Sequence, residues 1–176
     1  DVCSSDLISH HFEQRYGVHY DPKDEILVTV GVSEGLAMAL LAITEPGDEV
    51  IIPDPAYVAY PASVELAGGT PVFVPTYPEH DFKLTVEALE KVITPKTKAI
   101  VIGYPNNPTG TVMSAEELMP IAKFAEEHDL IVLSDEIYCE LMYGDAKFTS
   151  FAKLPGMRER TVIFNGFSKR SEERRV

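Results

Sequence analysis

Cysteine is scarce in this chain. It has two, Cys3 and Cys139, and no spacing pairs them, so a disulfide framework is excluded as the organising device. A reduced, cytoplasmic setting is expected. Long apolar runs are missing too: nothing approaches the roughly 18–20 residues that cross a bilayer, so no membrane span is expected. No basic leader followed by an apolar stretch marks secretion. Positive charge is short, with 15 Lys and Arg against 28 Asp and Glu and a net charge of −13. That balance argues against nucleic acid or an anionic membrane surface as partner, because phosphate binding calls for a basic face. Metal-ligand spacing is also lacking. His10 and His11 are adjacent, and His19, His80 and His128 are scattered; none is spaced like a zinc pair on a helix, and all read as surface residues.

What remains is ordinary globular material. With 176 residues, 45% hydrophobic and 24% charged, the chain is one domain's worth and able to bury a core. Short apolar runs alternate with helical patterns. Strands are expected at 26–30, 50–52, 72–74, 99–102, 130–133 and 161–164, and helices at 33–43, 57–67, 85–92 and 114–128. Gly68 and Gly69 sit where a helix C-cap belongs, Ser114 with Glu117 reads as a capping box, and Pro120 falls inside the last helix, where it removes a backbone bond. Strands that are continuously apolar and separated by helices indicate an α/β fold, a mostly parallel sheet with helices on both faces. In such sheets ligands gather outside the carboxyl ends of the strands.

The two ends differ from the rest. Residues 1–7, "DVCSSDL", and 170–176, "RSEERRV", have neither period, and both resemble in-frame translations of sequencing adapters. The expectation is a biological segment of 8–169 with non-native tails, a partial domain of a longer protein.

Four strand-end segments carry the chemistry. "GVSEG" (31–35) opens a helix after the strand expected at 26–30; Gly31 permits an unusual backbone angle, and the following amides make an anion site. It matches neither a dinucleotide fingerprint nor a P-loop. "YPNNPTG" (104–110) is a turn stiffened by two prolines, suited to aiming one amide at a ligand. "SDEIY" (134–138) brings Asp135 and Tyr138 past the next strand, where a buried carboxylate could hold a proton on a ring nitrogen. Glu136 and Glu140 read as solvated or structural. Lys169 follows the last strand, and a desolvated lysine can form a Schiff base. Taken singly, each segment also reads as a plain turn or a surface residue.

Together, "YPNNPTG", "SDEIY" and "FNGFSK", with the glycine-led helix start and "PGDEVIIPDPAYVAY" upstream, resemble the fold-type-I pyridoxal-phosphate aminotransferases of classes I and II. The resemblance implies the large, cofactor-binding domain, truncated. It implies that Lys169 holds pyridoxal 5'-phosphate as an aldimine and then moves the substrate proton, and that Asp135 pairs with the pyridinium nitrogen. Asn107 and Tyr138 would bond the ring's phenolic oxygen, and Val32 and Ser33 would offer backbone N–H groups to the phosphate. Tyr57 would lie on the ring face, with a core aromatic of the helix at 57–67 as its other reading. Ser168 could add a weak phosphate contact, because the usual hydroxyl position three before the lysine is Gly166 here. The implied reaction is ping-pong transfer between an amino acid and a 2-oxo acid in a homodimer. The arginines that relatives use for phosphate and substrate carboxylate have no counterpart in 8–169, so the segment alone is expected to be inactive. Aromatic, aspartate, alanine and diaminopimelate-type substrates all remain open. The same motifs would also serve a carbon–sulfur lyase or synthase, or the effector domain of a transcriptional regulator.

Overall fold

The structure, a computed structural model, describes residues 4–169. Helices α1 (Ser4–Tyr16) and α2 (Val32–Ile43) lead into an alternation of strands and helices: β1 (Glu49–Asp54), α3 (Ala59–Leu66), β2 (Thr70–Pro75), α4 (Val86–Leu89), β3 (Thr97–Ile102), α5 (Ala115–Glu127), β4 (Ile131–Asp135) and β5 (Thr161–Phe164). The strands form one sheet in the order β2-β1-β3-β4-β5, and every neighbouring pair is parallel. The expected α/β class is the observed one.

Strand alternation explains why both faces are covered. Ile51, Ile100, Ile102 and Val132 point to one side, where Leu118, Ile121, Ala122, Phe124 and Ala125 of α5 and Leu89 of α4 pack on them. Val50, Ile52, Ala99, Val101 and Leu133 point to the other, against Leu36 and Leu40 of α2 and Tyr60 and Val64 of α3. Each large side chain buried in this way stabilises the fold by roughly 1.5–3 kcal/mol. The strands therefore read as unbroken apolar runs rather than as alternations.

Local chemistry fixes the element ends. Ser114 Oγ accepts from the Glu117 amide at 3.3 Å, and Glu117 Oε2 accepts from the Ser114 amide at 2.8 Å, closing the expected capping box of α5. Past α3, Gly68 takes φ +86°, the left-handed geometry that glycine adopts most easily after a helix. The chain runs from β1 outward to β2, then crosses back to β3 on the other side of β1. The direction reverses between β1 and β3, the position at which open parallel sheets bind ligands.

Four expectations are corrected. The run at 26–30 is not a strand: none of the five strands pairs with it, and Leu27, Val28 and Val30 are exposed. β-branched residues favour extended backbone, but a strand also requires a hydrogen-bonding neighbour. The helix expected at 57–67 begins only at Ala59, which leaves Tyr57 outside it. The helix expected at 85–92 shrinks to the single turn of α4, capped by Thr85. Finally, α1 was not anticipated. Its apolar stripe is narrow, Ile8, Phe12 and Tyr16 spaced four apart among polar residues, and Phe12 and Tyr16 fix it by packing against Val18, Cys139 and Phe148. Residues 170–176 lie outside the described residues. Among the described residues no helix is long and apolar enough to cross a membrane.

Candidate active site

The last residue of β4 is Asp135, 6% exposed. Its Oδ2 accepts a 2.7 Å hydrogen bond from the Tyr60 hydroxyl, and its Oδ1 accepts from the Ile137 amide at 3.2 Å. Burial pushes the Asp135 carboxyl above its usual range, while these two bonds oppose the shift by favouring the carboxylate. The Tyr60 hydroxyl is itself pushed well up, first by burial and then by the charge at Asp135. The proton therefore stays on Tyr60, which is the donor.

Tyr60 was not singled out by the sequence, because a tyrosine in an apolar helix reads as core. The signal that could have found it is Gly103. This glycine follows β3, and a Cβ there would stand 3.0 Å from Tyr60 Oη and 3.8 Å from Asp135 Cβ. A side chain at this position would crowd the hydroxyl where it reaches the carboxylate. Tyr57 stands one turn earlier, 37% exposed, with its ring edge-on to Tyr60 at 5.6 Å. It is therefore an exposed aromatic just before α3, not a core residue of the helix.

The turn after β3 divides its labour between two asparagines. Asn106 holds the turn together: its Oδ1 accepts from the Thr109 amide at 3.2 Å and the Thr109 hydroxyl at 2.9 Å, and its carbonyl accepts from the Gly110 amide at 2.8 Å. Asn107 is left to point outward, and its Nδ2 donates to the Tyr138 hydroxyl at 3.3 Å. Tyr104 anchors the base of the turn, buried, with its hydroxyl accepting from the Leu84 amide.

Val32 and Ser33 occupy the first turn of α2, behind Gly31 at φ +81° with no side-chain cap. Their amides belong to the unpaired N–H groups that every helix start presents. The segment after β5 reaches the same neighbourhood. A Cβ on Gly166 would lie 3.3 Å from Ile137 Cδ1 and 3.9 Å from Val32 Cγ2, and Asn165 Nδ2 donates to Cys139 Sγ at 3.3 Å. Ser168 and Lys169 lie exposed on the turn that follows and take part in none of these bonds. The structure thus joins Asp135 with Tyr60 and Asn107 with Tyr138, and brings the start of α2 close to the loop that leads to Lys169.

The donor set fits a planar, cationic heterocycle. Asp135 is shifted by burial, by Tyr60 and by the Ile137 amide; among the described residues no lysine or arginine acts on it. A buried carboxylate without a cation is costly, and a ring N–H⁺ would supply one. Pyridoxal phosphate offers such a nitrogen, a phenolic oxygen for the Asn107–Tyr138 pair and a phosphate for a helix start.

The family model for aminotransferases of class I and II matches residues 3–171. Among curated proteins, YugH of Bacillus subtilis (strain 168), provisionally named an aminotransferase, is 56% identical over 162 residues. That match covers 92% of this chain and 42% of YugH. The aspartate aminotransferase of Pyrococcus abyssi is 49% identical over 164 residues, 93% of this chain and 42% of its own length. Among solved structures, the aromatic aminotransferase from Pyrococcus horikoshii OT3 superposes with a TM-score of 0.92 at 48% identity, over 94% of this chain and 44% of that one. The chain spans 42% of the length of these two curated relatives.

Proposed function

Because the chain belongs to the class I and II aminotransferase family, we propose that it forms the cofactor-holding part of an enzyme that moves amino groups between amino acids and 2-oxo acids with pyridoxal 5'-phosphate. The activity is proposed for a protein in which this segment is continued to the length of its relatives, acting as a homodimer in the cytoplasm, with residues 8–169 as the native part.

When bound, pyridoxal phosphate supplies an electron sink for the substrate's α-carbon. Asp135 holds the proton on the ring nitrogen, steadied by Tyr60, whose bond keeps the carboxylate ionised and fixes its rotamer. The Asn107–Tyr138 pair directs hydrogen bonds at the phenolic oxygen. Amides of Val32 and Ser33 take the phosphate, where the positive end of α2 favours an anion; the exposed Ser168 hydroxyl is a weaker candidate for the same group. Tyr57 covers one face of the ring. Lys169 would hold the cofactor covalently through Nζ and, once an incoming amino group had displaced it, its freed amine would move the substrate's α-proton.

The observation that carries this reading is the buried, doubly bonded Asp135 carboxylate at the end of a central strand, with no cation acting on it among the described residues. The test is turnover of a panel of amino acids with 2-oxoglutarate by the continued enzyme. New amino acid and new oxo acid formed in equal amounts would bear the proposal out. Pyruvate and ammonia from a thioether substrate would mean a lyase instead.

A further inference from the structure

Beside Asp135 stands a second buried carboxyl with no part in that scheme. Glu136 is 2% exposed. Three donors converge on its Oε1: the Ser134 hydroxyl at 3.1 Å, the Ser150 hydroxyl at 2.9 Å and the Phe151 amide at 3.0 Å. Its Oε2, equally buried, has no partner among the described residues. Its own amide donates to the Phe164 carbonyl at the end of β5 at 2.8 Å. One residue therefore ties together the end of β4, the end of the strand that leads to Lys169, and the turn at 150–151.

We infer that Glu136 is a positioning residue, a neutral carboxylic acid that locks Asp135 and the approach to Lys169 into register. An ionised carboxylate spreads its charge over both oxygens and calls for donors on both or for a cation. Here all three donors sit on Oε1 and none reaches Oε2, so ionisation would leave charge on an oxygen with no donor among the described residues, whereas the neutral acid leaves only an unpaired O–H there. The titratable groups that face it are Asp135 from its own strand end and Tyr20 from the segment after α1; neither brings positive charge. Burial, opposed by the three hydrogen bonds, pushes the Glu136 carboxyl up to about 7.

A carboxyl whose value is higher in the folded than in the unfolded state stabilises the fold fully below the unfolded value, here 4.5, and loses that contribution as pH rises through about 7. Glu136→Gln keeps a carbonyl for the three donors and cannot ionise. Two readouts separate the possibilities: the pH dependence of the thermal midpoint without any ligand, and the affinity for pyridoxal phosphate from an absorbance titration. The wild-type midpoint is expected to fall across the window from 4.5 to about 7, and that of Glu136→Gln to fall less steeply, because the raised Asp135 carboxyl still titrates there. The second readout rests on the proposed cofactor. Wild type and Glu136→Gln should bind it equally at about pH 6, and wild type should weaken several-fold by about pH 8 while the glutamine variant does not. Glu136→Ala, which loses all three bonds, should bind roughly tenfold more weakly at both pH values. An unchanged pH slope in Glu136→Gln would overturn the neutral acid. A folded Glu136→Ala with wild-type affinity would overturn the positioning role; if that variant does not fold, the glutamine profile decides. Failure of the wild type to bind pyridoxal phosphate would sink the cofactor reading and the positioning role with it, while the ligand-free profile would still judge the neutral acid.

Discussion

At Asp135 two demands compete. Burial favours the neutral acid, whereas a place beside a ring nitrogen requires the carboxylate. The Tyr60 hydroxyl tips the balance, so Tyr60→Phe should raise the Asp135 carboxyl further. The acidic limb of the pH–rate profile should then move to higher pH, and turnover should drop about tenfold, the worth of one charge-assisted hydrogen bond. Asp135→Asn removes the charge altogether; a loss on the order of 10²-fold or more, about 3 kcal/mol in the barrier, is expected in the same assay. Asp135, Asn107 and Tyr138 drew notice in the sequence through "YPNNPTG" and "SDEIY" beside apolar runs, and the roles proposed for them come from the family resemblance. Tyr60 and Glu136 were not legible there. A tyrosine in an apolar helix and a glutamate beside an aspartate give the same one-dimensional signal as a packed ring and a solvated acid. Only their partners, Asp135 for one and Ser150 with Phe151 for the other, tell them apart.

Among the elements, those with explicit end chemistry were read most faithfully. The capping box of α5 is visible as Ser114 and Glu117, and the structure closes it. Ser114→Ala should cost about 1 kcal/mol and lower the thermal midpoint with no change in cofactor affinity. Gly31 is the contrasting case. Its φ of +81° disfavours any residue with a Cβ, so Gly31→Val should cost about 1–2 kcal/mol from backbone strain. Because it precedes Val32 and Ser33, it should also weaken the grip on phosphate, which pyridoxal and pyridoxal phosphate affinities measured side by side would separate. The failures were elements that depend on partners elsewhere. The apolar run at 26–30 has the composition of a strand but no neighbour among the five, and α1 is a helix because Phe12 and Tyr16 find Val18, Cys139 and Phe148.

Over the whole molecule, five parallel strands place their carboxyl ends along one rim, and the winding direction reverses between β1 and β3. Three chain segments far apart in sequence, α3 after β1, the turn after β3 and the end of β4, supply Tyr60, Asn107 and Asp135 to that rim, which is why no local motif encodes the site by itself. The class of fold was legible because runs of buried residues on both faces leave a plain signature; the strand order was not, since nothing local dictates which strand pairs with which. The 176-residue chain alone is expected to transaminate far more slowly than the same segment continued to its relatives' length, as measured by side-by-side turnover. The most direct measurement is chemical trapping: mix the chain with pyridoxal phosphate, reduce with borohydride, and map the labelled peptide by mass spectrometry. A phosphopyridoxyl group on Lys169 is the predicted result; label spread over other lysines, or none retained, would contradict it.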